Sequence, residues 1–94
     1  MKTEEIIRIL RKNRTELERY NVRNLWLFGS ATRKELPGDL DFLVSFEREP
    51  DLNDFMGLKF LLEELFQKKV DLLSYRKCSD RFLSRIEDDL MNVA

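Results

Sequence analysis

The sequence predicts a small α/β (α+β) domain, a three-stranded mixed sheet with helices packed on it. Three observations carry this expectation. Apolar runs of strand length stand at residues 22–28, 39–46 and 70–74. Segments with apolar residues spaced by three and four precede the first run, separate the second from the third, and follow the third. At 94 residues the chain is expected to be one domain, since a chain of this size buries only about 60–65% of its unfolded surface and cannot be subdivided.

Composition removes whole classes of function. A chain that is 43% hydrophobic and 37% charged covers a folded core with charge and does not stay disordered. Its 17 basic and 18 acidic residues nearly cancel, so direct nucleic-acid binding is not expected. The absence of histidine excludes Ser-His and Cys-His nucleophiles and histidine-ligated metals. A single cysteine, Cys78, excludes an internal disulfide and a multi-cysteine zinc site, and nothing beside it marks a reactive thiol. Carboxylates, metals, hydroxyls and lysines remain. The opening MKTEEIIRIL lacks the apolar core of a signal peptide, and no apolar run approaches membrane-spanning length. A cytoplasmic protein without a membrane partner is expected.

Taken in order, residues 3–20 read as one helix. Thr3 is placed to cap it, Glu4 and Glu5 suit its positive end, and Ile6, Leu10 and Leu17 share a face that Ile7 widens. Arg8, Arg11, Lys12 and Arg14 form its solvated flank. Residues 22–28 make a covered strand that Gly29 ends. Residues 30–36 have room for one or two helical turns before Pro37-Gly38, a turn signal. Asp51 opens a second long helix with Asp54 three residues on, and Phe55, Leu58, Leu62 and Leu65 form its core stripe, thickened by Met56 and Leu61. Gln67-Lys68-Lys69 places cations at its negative end. After the strand at 70–74, Ser79 or Asp80 caps a last helix on which Phe82, Ile86, Leu90 and Val93 share a face. Three strands leave two edges and an incompletely covered face, the place for an active site or a second chain.

The chemistry gathers in LWLFGSATRKELPGDLDFLVSF, from Leu25 to Phe46. Successive strand side chains point to opposite faces, so Asp39 and Asp41 share one face while Leu40, Phe42, Val44 and Phe46 line the other. Two carboxylates on one face repel, and a divalent cation between them is the natural relief. Gly29 lets backbone N–H groups approach a phosphate, and Ser30 adds a hydroxyl donor. Asp71 faces away from Val70 and Leu72, and a neighbouring strand can bring it to the other two acids. Singly these features are weak. Gly-Ser is more often a plain turn, Asp-Leu-Asp a solvated strand start, and Asp71 has Lys68 and Lys69 nearby as ion-pair partners. Their joint order, each at the end of an apolar run, favours a site.

LFGS, a short linker, DLDFLVSFE, a Leu-rich helix and KKVDLLS together resemble the minimal nucleotidyltransferases. These are the shortest members of the DNA polymerase beta nucleotidyltransferase superfamily, antitoxin partners of HEPN-domain ribonuclease toxins. The likeness runs from about Val22 to the C-terminus. It implies the polymerase-beta-like nucleotidyltransferase fold and transfer of AMP from ATP to a hydroxyl, a tyrosine of a helical HEPN toxin held in a hetero-oligomer. It implies that Asp39, Asp41 and Asp71 are catalytic and hold two Mg²⁺ ions, that Asp71 helps deprotonate the acceptor, and that Gly29, Ser30 and Arg33 contact the ATP phosphates. The chain also departs from the family pattern. Thr32 and Lys34 stand where Ala and Gly are common, and Gly38 replaces the Ser before the first Asp. Eight residues separate Ser30 from Asp39, against about ten in the family. A misplacement of about 1 Å costs about a hundredfold in rate, so an alternative is an antitoxin with weakened catalysis that neutralises its partner by binding alone. Transfer to nucleic acid or a small molecule would need an acceptor-holding domain for which the chain has little room.

Overall fold

The computed structural model describes residues 2–29 and 39–94; the expected turns within residues 30–38 lie outside the described residues. Strand β1 (Val22–Phe28) pairs antiparallel with β2 (Leu40–Phe46), and β2 pairs parallel with β3 (Val70–Ser74). A two-residue strand β4 (Met91–Asn92) joins the far side of β1, giving the order β3-β2-β1-β4. The sheet is mixed, as expected, but among the described residues it has four strands where the sequence predicts three.

Register follows from which residues must leave water. On one face Leu25 stands opposite Val44 and Leu27 opposite Phe42, while Leu40 lies beside Val70 and Phe42 beside Leu72. All of these are buried. Helices α1 (Thr3–Lys12), α2 (Arg14–Arg19) and α3 (Leu52–Phe66) close this face with Ile6, Leu10, Leu17, Leu58, Leu62 and Phe66. Phe42 stacks on Phe66 with ring centroids 5.9 Å apart. The Asp51 side chain accepts from the Asp54 N–H at 2.7 Å and Asp54 accepts from the Asp51 N–H at 3.2 Å, a capping box that fixes where α3 begins. Gln67, at φ 53°, ends it in the left-handed conformation. Glu63 Oε2 then accepts from the Val70 N–H at 3.0 Å, tying the start of β3 to α3. No helix among the described residues is long and apolar enough to cross a membrane.

Two helices are shorter than their periodicity predicts. The first breaks at Asn13, whose Nδ2 donates to the Ile9 carbonyl at 2.8 Å and competes with the helix ladder. Thr3 is the first helical residue and not the cap; Lys2 occupies that position. Helix α4 (Asp80–Ile86) is capped as expected, Ser79 Oγ accepting from the Phe82 N–H at 3.1 Å. It stops at Ile86, so Leu90 and Val93 do not extend its face. Glu87, Asp88 and Asp89 place three negative charges at the negative end of the helix dipole, which disfavours continuation. The chain passes through one 3-10 turn into β4, where the Val93 N–H donates to the Leu25 carbonyl at 2.9 Å and its side chain enters the core.

The other face of the sheet is also less open than expected. Tyr75 lies 5.5 Å from Trp26, Phe82 of α4 meets Phe28 edge-on at 6.3 Å, and Leu43 is fully buried. Asp41 on this face is half-buried and Asp71 exposed. Because Glu63 supplies the acceptor that holds β3 at its first residue, Glu63→Ala should cost about 1–3 kcal/mol in urea unfolding. Glu63→Gln, which keeps an oxygen there, should recover most of that loss.

Candidate active site

A one-residue slip between β2 and β3 would turn Val70 and Leu72 out of the core and push Asp71 into it. The apolar flanks therefore fix the acids. Asp71 lies directly in register with Asp41, and Phe28 stands opposite Asp41 on the other side, so one row across three strands reads Phe28–Asp41–Asp71. At the end of β1, Gly29 has φ +78°, and a Cβ built on it would lie 2.7 Å from Asp41 Oδ2. Glycine is required there both for the turn and for the close passage of the Asp41 carboxylate.

The electrostatics of this row are unfavourable in the free protein. Burial, chiefly, raises the Asp41 carboxyl above its ordinary range, followed by the Asp71 charge, a hydrogen bond with the Asp71 carboxyl, and the Asp39 charge. Asp39 precedes β2, is exposed, and contributes the least of the four. Among the described residues no three acids or thiols converge into a finished metal cage. What the fold pre-assembles is the Asp41–Asp71 pair, with Asp39 two residues upstream. That donor set fits a hard divalent cation, which takes carboxylate oxygens and fills its remaining positions with water or phosphate oxygens. Ser30 and Arg33, expected as phosphate contacts, lie outside the described residues.

The pair opens on a hollow of about 450 Å³ lined also by Phe28, Phe55, Met56, Lys59, Leu72 and Leu73. Sequence reasoning placed Phe55 and Met56 in the core and passed over Lys59. A signal was present: Met56, Lys59 and Glu63 recur at three- and four-residue spacing, and Glu63 contacts the first residue of β3, so Lys59 shares the flank that faces β3. Cys78 lies apart from this pair. Its Sγ donates to the Ser74 carbonyl at 3.3 Å, and burial pushes the thiol up.

The fold is that of enzymes that transfer nucleotides. The chain belongs to the polymerase beta nucleotidyltransferase family, whose pattern it matches over residues 4–91. A relative from Methanocaldococcus jannaschii, named as a protein adenylyltransferase, is 39% identical over 98 residues, covering 99% of this chain and all of its own length. The protein adenylyltransferase MntA of Thermococcus cleftensis is 44% identical over 73 residues, 74% of each chain. A solved minimal nucleotidyltransferase superposes with a TM-score of 0.74 at 31% identity, over 97% of this chain and 95% of that one. A complex of tri-AMPylated HEPN toxin with MNT antitoxin from Shewanella oneidensis shares the fold at a TM-score of 0.63 and 22% identity, over 98% of this chain and 68% of that one. The resemblance to minimal nucleotidyltransferases is thus borne out.

The raised Asp41 carboxyl has a consequence for stability. A carboxyl that holds its proton more tightly folded than unfolded makes the folded state lose stability as pH rises, from the ordinary carboxylate range up to the raised folded value. In the metal-free protein at neutral pH, Asp41→Asn should therefore unfold at higher urea, by about 0.2–1 kcal/mol, the scale of a like-charged cross-strand pair. Urea titrations repeated towards pH 3 should show the difference vanish. Gly29→Ala should act in the opposite sense, losing about 1–2 kcal/mol to the left-handed backbone alone.

Proposed function

We propose that this chain, acting as a single nucleotidyltransferase domain, moves AMP from ATP to a tyrosine hydroxyl of a helical HEPN-type toxin, and is that toxin's antitoxin. Asp39, Asp41 and Asp71 would hold two Mg²⁺ ions, and Gly29, Ser30 and Arg33 would contact the phosphates. The observation that carries this reading is the Asp41–Asp71 pair, two carboxylates brought into register beside the Gly29 turn, the charge of one raising the cost of charging the other. The relatives support it: two are named for protein adenylyltransferase activity, one fold neighbour is a complex with an AMPylated HEPN toxin, and another was solved with AMP-PNP. ATP as the substrate places this activity in the cytoplasm.

Bound Mg²⁺ would neutralise the triphosphate and make the acceptor hydroxyl more acidic. The chain's own part is to hold and orient. Asp41 on β2 and Asp39 just before it present oxygens, and Gly29, which lets the Asp41 carboxylate pass close, would leave its backbone open to a phosphate. Asp71 is exposed on the neighbouring strand, on the side from which an acceptor can arrive, and takes the hydroxyl proton as that oxygen bonds to the α-phosphorus. The bond from the α-phosphorus to the α,β-bridging oxygen breaks, pyrophosphate leaves, and Asp71 returns the proton to solvent. The short linker before Asp39, with Thr32 and Lys34 within it, favours a second reading in which a weakened site leaves an antitoxin that acts by occlusion.

Two measurements test these readings. Mg²⁺ with ATP should raise the melting temperature of the wild type but not of Asp39→Asn/Asp41→Asn; an equal rise in both would move the metal site elsewhere. Intact-mass spectra of a bound HEPN protein with wild type, ATP and Mg²⁺ should gain about 329 Da per AMP, while Asp71→Asn should bind and add nothing. A wild type that binds and adds nothing would leave only occlusion.

A further inference from the structure

Two hollows flank the outer edge of β3. The first contains the acid pair with Phe55, Met56 and Lys59; the second, about 580 Å³, lies between Pro50, Leu52 and Phe55 on one side and Leu73, Ser74 and Arg76 on the other. They share Phe55, Leu72 and Leu73, so one groove runs along β3 from Asp41 and Asp71 to the Arg76 end. Its apolar walls face solvent: Leu52 is 75% exposed and Leu73 36%.

The backbone of this edge is as informative as its side chains. The Leu40 N–H donates to the Lys69 carbonyl at 3.0 Å. In a parallel ladder that bond turns the polar groups of Asp71 and Leu73 towards β2 and those of Val70 and Leu72 outwards. The outward Val70 N–H is taken by Glu63. The Leu72 N–H and C=O, on the outer side of an edge strand, meet no partner among the described residues. Proteins commonly blunt such edges with charge, proline or a covering loop. Here a pair of backbone groups without a partner among the described residues lies one residue from Asp71, in a groove whose apolar residues Leu52, Phe55 and Leu73 stand among Pro50, Lys59 and the Glu49–Arg76 ion pair and which ends at the acids.

From this geometry we propose that the acceptor docks as an added strand. An extended segment of the acceptor polypeptide bonds to the Leu72 N–H and C=O, lays apolar side chains against Leu52, Phe55 and Leu73, and so carries its hydroxyl to Asp71. The inference rests on the transfer reading and adds to it the form of the substrate, extended backbone with apolar neighbours rather than a helix face. Main-chain bonds supply affinity in such docking and the pockets for alternate side chains supply selectivity. Register also sets the target. A slip of one residue moves the segment by about 3.3 Å and turns the hydroxyl to the opposite face, so one position of the segment is modified.

Amide exchange and mass spectrometry on one sample of the full chain with the HEPN acceptor test it. With saturating acceptor, exchange at the Leu72 amide should slow by about tenfold or more, while the Asp71 and Leu73 amides, already bonded to β2, keep their rates. Leu52→Asp, at a side chain 75% exposed, should raise KM for the acceptor by about tenfold and leave kcat and ATP affinity unchanged. An unaltered Leu72 amide in a complex that still gains AMP would overturn edge docking and leave the transfer reading standing. A protected Leu72 amide with no gain of AMP would keep the groove as the docking surface and overturn transfer. An unaltered amide without AMP would overturn both.

Discussion

The register between β2 and β3 is the constraint on which the rest depends. It is set by four apolar residues, Leu40 against Val70 and Phe42 against Leu72, buried under α3. Because strand side chains alternate, burying those four leaves the acids no choice of face, and Asp41 meets Asp71. The core thus does two things with one set of contacts. It stabilises the domain, and it holds two like charges together that would separate if the strands were free to slide. A pair assembled this way is held by the same burial that stabilises the domain, so separating the two carboxylates by a slip of the strands would expose that core.

Much of this arrangement was legible in the sequence, because the features that fix it are local. Alternation from Leu40 to Phe46, the apolar runs, and the Asp51/Asp54 spacing each determine a structure within a few residues, and each is found as read, whereas Asp39, read as part of the same strand, stands just before it. What was not legible depended on competition over longer distances. Asn13 sits in a helical pattern, and its preference for the Ile9 carbonyl over the ladder is decided by its own side chain. Leu90 and Val93 continue the helical spacing of α4, but Val93 has a better destination against Leu25, and no local rule reveals that. The fourth strand follows from the same choice. The in-register meeting of Asp71 with Asp41 was open for a similar reason: alternation gives the face, while only the parallel pairing gives the partner. Lys59 was missed because it interrupts a helix read for its apolar stripe.

The sheet treats its two faces differently, and the difference explains how a short chain supports both a core and a site. One face is closed by three helices and carries most of the burial. The other is closed by single rings, Tyr75 on Trp26 and Phe82 on Phe28, which cover area without a full layer of backbone. Aromatic rings from a turn and a short helix are an economical roof. They seal Leu43 and stop beside the acids, so that Asp71 keeps its access to solvent while the strand beneath it stays rigid.

That aromatic roof has a practical consequence. Trp26 is the single tryptophan of the chain, and on its face of the sheet it occupies the row next to Phe28, Asp41 and Asp71. Its indole packs against a tyrosine ring tilted by 32° and reports on the packing of the same strands that hold the carboxylates. The molecule therefore contains an optical sensor within two residues of its acid row, built from native side chains, through which events at the carboxylates register as a change in emission without any label.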